Sequence, residues 1–179
     1  MAAAFVHGDA AAPPERDAFD LAFARLLLSH LADPMAAIRA MRDAVRPGGV
    51  VAVEDLDTGT VRGIPPTPAL DRLARVYGAT VRRHGGDPTI GPRLPALLEA
   101  AGLEAVTERT VVNPMRTSDE KIFLAELVDN MRDAILAAGA ATAAEVDELR
   151  AALGAAAQDP GVVFCQAVMH QVHGTRPAR

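Results

Sequence analysis

Two regimes of hydrophobic patterning run along this chain: short continuous apolar runs of strand length, and longer stretches in which apolar residues recur every three or four positions. Residues 5–7 predict a short strand ended by Gly8 and Asp9, after which Pro13 and Pro14 block regular structure. The run Phe19-Asp20-Leu21-Ala22-Phe23-Ala24 predicts a strand buried on both faces, as in a parallel sheet covered by helices. Residues 25–31 form a connector. Asp33 then caps a helix that Pro34 opens, running to about Val45 and stopping at Arg46-Pro47-Gly48-Gly49. Residues 50–53 predict a second buried strand, with Glu54, Asp55 and Asp57 at its carboxyl end.

Residues 58–66 read as a Gly/Pro-rich loop. Thr67-Pro68 opens a helix whose apolar stripe is Leu70, Leu73, Ala74, Tyr77 and Val81, and His84-Gly85-Gly86-Asp87-Pro88 ends it. Residues 93–101 predict another helix, with Leu94, Leu97, Leu98 and Ala101 on one face and Gly102 as its stop. Residues 103–112 predict a strand broken by Asn113-Pro114. Thr117 with Glu120 forms a capping box ahead of Leu124, Leu127, Val128, Met131 and Ile135, and Thr142 with Glu145 forms a second before an Ala-rich helix. Residues 161–169 predict one long final strand, and a polar tail begins at Gly174. With no internal repeat or low-complexity linker, residues 1–179 read as a single domain.

Composition narrows the function classes. Half the residues are hydrophobic, so the chain buries a core rather than staying disordered. A net charge of −5, no Trp and one Tyr argue against nucleic-acid binding, which needs cationic tracks or stacking platforms. One cysteine, Cys165, excludes an internal disulfide framework and a multi-cysteine metal site, and it is expected to be buried and inert. No apolar run approaches the ~20 residues that span a bilayer, and residues 1–9 lack the pattern of a signal peptide. The expectation is a cytoplasmic protein with neither a membrane nor a nucleic-acid partner.

Strands alternating with helices predict an α/β fold with a parallel sheet. In such sheets ligands bind at the carboxyl ends of strands, which singles out Asp9, the Ala24–Arg25 step and Glu54–Asp55. Each also has a local reading. Asp9 suits a loop acid capping its own backbone, Arg25 a surface ion pair, His30 a helix-end histidine, and the three acids a solvated cluster. His170 and His173, three apart in a strand, tend to opposite faces and make a poor metal pair, so no metal site is expected.

The segments Phe5-Val6-His7-Gly8-Asp9-Ala10, Phe19-Asp20-Leu21-Ala22-Phe23-Ala24-Arg25, His30-Leu31-Ala32-Asp33-Pro34 and Arg46-Pro47-Gly48-Gly49, in this order and spacing, resemble class I S-adenosylmethionine-dependent methyltransferases that act on small molecules. The stretch from Gly85-Gly86-Asp87-Pro88 to Leu94-Pro95-Ala96-Leu97-Leu98-Glu99-Ala100-Ala101-Gly102-Leu103 is similar to them as well. The resemblance implies a Rossmann-like methyltransferase sheet with flanking helices, corresponding to the carboxyl-terminal two-thirds of that fold. It implies that Asp9 and Ala10 meet the adenine of S-adenosylmethionine, and that Ala24 and Arg25 line its methionine end. His30 borders the pocket, and Glu54 and Asp55 face the substrate, which makes His30 and Glu54 the candidate catalytic residues.

The family's first strand, its glycine-rich loop, its first helix and a ribose-binding acid precede the Asp9 motif, so a truncated cofactor site is expected. Gly48-Gly49, Gly59 with Gly63, and Gly85-Gly86 do not stand between a strand and a following helix as that loop does. The resemblance places two further strands between the Asp9 strand and the Phe19 strand. Without them the Phe19 strand gains an unpaired apolar edge, expected to be covered by a second copy or by a heteromeric partner. Two functions follow: a methyltransferase acting on a small molecule, or a non-methylating relative, whether a cyclase, an isomerase or a structural subunit.

Overall fold

The computed structural model describes residues 5, 7–13 and 15–178. Strand β1 (Phe19–Arg25) leads through a single 3-10 turn, Leu28–His30, into helix α1 (Pro34–Ala44). The helix starts where its capping chemistry requires: the Asp33 carboxylate accepts the Ala36 N–H at 3.0 Å, and Pro34 occupies a position whose N–H has no helical partner. Strand β2 (Val45–Asp57) runs parallel to β1. Arg46-Pro47-Gly48-Gly49 is an excursion inside this strand rather than a turn before it, since Phe19 pairs with Val45 and Leu21 already pairs with Val50. Gly48 makes the excursion possible with φ +79°, a backbone state that side chains disfavour.

Beyond β2 the expected loop holds a 3-10 turn, Thr58–Thr60, and a short strand β3 (Arg62–Ile64). Helix α2 (Pro68–Arg83) ends just before Gly85 at φ +85°. A 3-10 turn, Gly91–Arg93, precedes α3 (Leu94–Ala100), which stops at Gly102 with φ +83°. Strands β4 (Glu104–Val111) and β5 (Pro114–Met115) follow, then α4 (Ser118–Asn130), α5 (Arg132–Ala137) and α6 (Ala143–Gln158). Both capping boxes form in full, at Thr117/Glu120 and Thr142/Glu145. The chain ends in β6 (Val163–Cys165) and β7 (Val168–Thr175).

The long final strand is thus two strands in two sheets. The larger sheet has the order β1-β2-β7-β4, and the smaller has β3-β6-β5. Gln166 breaks the run by donating its N–H to the Asn113 carbonyl at 3.1 Å, outside either ladder, and β7 continues through the expected tail to Thr175. The larger sheet is mixed rather than parallel, because β7 runs antiparallel to both β2 and β4. This mixed α/β architecture with flanking helices is the Rossmann-like arrangement expected.

Two cores result. Against one face of the larger sheet, Ala24, Val51, Val53 and Val172 pack on Ile38 of α1 and on Leu94 and Leu98 of α3. In the other, Leu70 and Leu73 of α2 meet Leu124 and Val128 of α4, Leu149 and Leu153 of α6, and Phe164 of β6. Each fully buried side chain of this size contributes about 1.5–3 kcal/mol. Cys165 is buried, and no described helix is long and apolar enough to cross a membrane.

Strand β1 is not buried on both faces. Ala22 and Ala24 turn toward the first core, while the alternate residues Phe19, Leu21 and Phe23 are 44%, 55% and 56% exposed. Among the described residues the strand lies at the edge of its sheet with no partner on its outer side, as expected from the sequence. Phe5 and His7 are not in a strand, and the part of that prediction on Val6 lies outside the described residues. The Asp9 carbonyl accepts the Ala12 N–H at 3.0 Å, the turn expected after Gly8, but among the described residues no strand stands beside Phe5 and His7 to form a ladder with them.

Candidate functional site

A cavity of about 340 Å³ opens at the carboxyl ends of β1 and β2, between the larger sheet and helices α2 and α4. Arg25 and Leu26 enter it from the end of β1, and His30 from the 3-10 turn that follows. Leu56 and Thr58 come from the end of β2, and Leu73, Ala74 and Tyr77 from α2. Phe123, Leu124 and Leu127 of α4 form the opposite wall, and Gln166, Ala167 and Met169 close it where β6 passes into β7. Arg25, Leu26, His30 and Phe123 are exposed and so lie at the mouth, whereas Leu73 and Leu124 are buried. The size falls in the range of small-molecule sites.

The turn that carries His30 is held from two sides. One Asp55 oxygen accepts the Ser29 N–H at 2.9 Å and the other accepts the Leu56 N–H at 2.9 Å. From the α2–α3 connection, the Asp87 N–H donates to the Ser29 carbonyl at 2.9 Å. Asp55, only 1% exposed, is therefore an anchor and not part of a solvated cluster. Asp57 is likewise engaged, accepting the Gly59 N–H at 3.1 Å. Burial pushes the Asp87 carboxyl upward, but the Thr89 N–H and hydroxyl and the Arg93 guanidinium outweigh it and hold the group below the usual carboxylate range. Burial, reinforced by the negative charge of Asp55, raises the Tyr77 phenol above its ordinary value, so it stays a proton donor throughout the physiological range.

Glu54 faces the open side of the sheet. It pairs with Arg25 Nε at 3.2 Å, accepts Gln171 Nε2 at 2.7 Å, and lines a separate depression of about 280 Å³ with Phe23, Thr107, Arg109 and His173. Arg25 and His30 thus meet in one cavity, with Glu54 behind Arg25. Ala24 sits in the first core with its side chain away from the cavity. Asp9 and Ala10 are exposed, and the Asp9 carboxylate accepts the Ala11 N–H at 2.9 Å. His170 is buried with Nδ1 2.6 Å from Glu108, while His173 is exposed and meets Thr107, in keeping with their opposite faces.

The glycines give a direct test for a backbone cradle. A Cβ at Gly63 would stand 2.1 Å from the Thr67 hydroxyl, at Gly86 2.2 Å from the Ser29 carbonyl oxygen, and at Gly91 2.5 Å from the His170 ring. The chain's own atoms fill each of these spaces. None of these three glycines therefore lines open space for an adenosyl group.

Sequence reasoning found Arg25 and His30 through the carboxyl-end rule. It missed the cavity wall of α2 and α4: Ala74, Tyr77 and Leu127 read as core stripe, yet their partial exposure places them on the cavity. A stripe wider than one core needs was the available signal.

A family model for the methyltransferase domain matches residues 2–108. Methyltransferase str2 of Strobilurus tenacellus is 33% identical over 128 residues, 70% of this chain and 46% of its own length. Methyltransferase str3 of the same organism is 28% identical over 118 residues, 65% of this chain and 43% of its own. The chain thus spans less than half the length of these curated relatives. Among solved structures, the BH2331 protein of Bacillus halodurans C-125 superposes with a TM-score of 0.57 at 16% identity, over 97% of this chain and 77% of that one. The [4+2]-cyclase SpnF gives 0.52 at 19% identity, over 98% and 56%. At such identities the likeness establishes the fold.

Proposed function

Because the chain belongs to the methyltransferase-domain family, we propose that it forms the acceptor side of an S-adenosylmethionine-dependent methyl-transfer site for a small molecule, within one domain spanning residues 1–179. The observation that carries this reading is the cavity at the carboxyl ends of β1 and β2, where Arg25 and His30 converge. His30 is the candidate base, with its imidazole at the mouth of the cavity. Glu54 supports catalysis through Arg25, whose guanidinium it pairs at 3.2 Å. Asp9, Ala10, Ala24 and Arg25 are the residues for the cofactor side. Asp9 and Ala10 are exposed, the Ala24 side chain lies in the first core, and Arg25 is the one of the four that lines the cavity.

The open edge of β1, with Phe19, Leu21 and Phe23 exposed beside it, supports a second copy or a heteromeric partner as cover. Light scattering at micromolar concentration should report a species larger than a monomer, and a strictly monomeric chain removes the self-association form of this reading.

The function itself is tested by titrating S-adenosylmethionine calorimetrically into the chain. Saturable binding is expected, weakened roughly three- to tenfold by Arg25→Ala, an exposed charge whose contribution solvent discounts. Absence of heat together with an unchanged melting temperature would instead identify a non-methylating relative, such as a cyclase, an isomerase or a structural subunit.

A further inference from the structure

The cavity has a polarity of its own. None of the Asp or Glu side chains is among its lining residues. Its charged or chargeable nitrogen groups, Arg25 and His30, stand together on the β1 side at the exposed mouth. Across β2 and β7 the walls become apolar, with Leu56, Leu73, Leu124, Leu127 and Met169. The carboxylates close behind are already engaged: Glu54 by Arg25 and Gln171, Asp55 by the Ser29 and Leu56 amides, Asp57 by the Gly59 amide, and Asp87 by Thr89 and Arg93. A cationic ligand entering here would meet two nitrogen groups at the mouth and no carboxylate inside. An anionic oxygen at the mouth would meet the terminal nitrogens of Arg25, whose Nε is held by Glu54 at 3.2 Å, and the His30 imidazole, and its apolar body would displace water from a wall of leucine, methionine and phenylalanine.

We infer that the cavity takes apolar weak acids, molecules with a hydrocarbon or aromatic body and a single carboxylate, phenolate or enolate oxygen, in preference to amines of the same skeleton. This rests on the proposed reading of the cavity as the acceptor site and specifies its substrate class. The acid group sits at Arg25 and His30, and the body lies along α2 and α4. A carboxylate at Arg25 has one other source in this family, the amino-acid end of the cofactor, whose polar skeleton does not match the apolar walls.

The chain supplies its own probe. Tyr77 is the only tyrosine, there is no tryptophan, and Tyr77 lines the cavity. Tyrosine emission of the whole protein therefore reports on this one place. Octanoate, 1-octanol, octylammonium and methionine, none of which emits there, are titrated separately near pH 7.5. Octanoate should perturb Tyr77 emission with an affinity roughly tenfold above that of octylammonium. Arg25→Gln should erase that preference and leave 1-octanol binding unchanged. Equal or tighter binding of octylammonium overturns the inference, as does failure of every eight-carbon ligand to move the emission. Methionine binding as tightly as octanoate overturns it too, since the cationic end then belongs to the cofactor. The S-adenosylmethionine titration reads the family reaction separately. Amine preference with saturable cofactor binding removes this inference and leaves the proposed function standing, whereas acid preference with no cofactor heat does the reverse.

Discussion

Lys121→Ala should lower the stability of the chain by about 3–5 kcal/mol, one of the largest losses available to a single substitution here. Lys121 is 1% exposed, inside the core formed by α2, α4, α6 and β6. Its ammonium donates to the Asp159 carbonyl at 2.6 Å and the Val162 carbonyl at 3.0 Å, and stands 5.7 Å from the centroid of the Phe164 ring. The lysine thereby ties α4 to the connection between α6 and β6, where the Asp159 carbonyl also accepts the Val162 N–H at 3.3 Å. Truncation removes both hydrogen bonds, leaves the carbonyl of buried Val162 without the ammonium, and opens a void where the aliphatic stem packed. Lys121→Met refills most of the volume without restoring the donors, so its loss should be smaller, about 1–3 kcal/mol. Urea denaturation followed by far-ultraviolet circular dichroism separates the two. A Lys121→Ala midpoint within about 1 kcal/mol of the parent would show that water replaces the ammonium. Lys121 is three residues before Leu124 and seven before Val128, on the same helical stripe, so the periodicity pointed to it while its charge argued for the surface.

That conflict marks the boundary of what could be read from the sequence. Helix ends were legible because capping is local chemistry: Asp33 with Pro34, Thr117 with Glu120 and Thr142 with Glu145 each act within one turn. Strand pairing was not. The run from Val162 to Met169 is apolar except for Gln166, yet Val163–Cys165 joins one sheet and Val168–Thr175 the other, a choice made by β3, β5, β2 and β4. The Phe19 run looks the same whether covered on one face or two, and only the absence of a helix over Phe19, Leu21 and Phe23 in the described structure decides it. At the site, the strand-end rule gave Arg25, His30 and Glu54. It could not divide them between cavity and open sheet face, since that depends on side-chain alternation in a register set by remote strands. The walls were least legible of all, because Tyr77, Phe123 and Met169 come from three distant segments that meet only in the fold.

Gly86→Ala should damage both the fold and the cavity, and the distinction between these effects is measurable. The added Cβ would lie 2.2 Å from the Ser29 carbonyl oxygen, 2.8 Å from Val81 Cγ1 and 3.3 Å from the His30 Cα. The first of these is backbone and cannot rotate away. Relief requires the Leu28–His30 turn to move off the α2–α3 connection, which breaks the Asp87 N–H to Ser29 carbonyl bond and strains the Ser29 N–H to Asp55 bond, both at 2.9 Å. Overpacking with the loss of one or two buried hydrogen bonds should cost about 2–4 kcal/mol. The neighbouring Gly85→Ala is the matched control. Gly85 has φ +85°, so alanine there carries backbone strain of about 1–2 kcal/mol, but its Cβ meets nothing closer than the Ala32 Cβ at 3.3 Å and leaves the His30 turn in place. In chemical denaturation Gly86→Ala should therefore lose more than Gly85→Ala. Under conditions where both variants remain folded, octanoate titration followed by Tyr77 emission should weaken for Gly86→Ala alone, because only that substitution displaces His30 from the mouth. Equal octanoate affinities for the two variants would mean that the position of the His30 turn has no bearing on what the cavity binds.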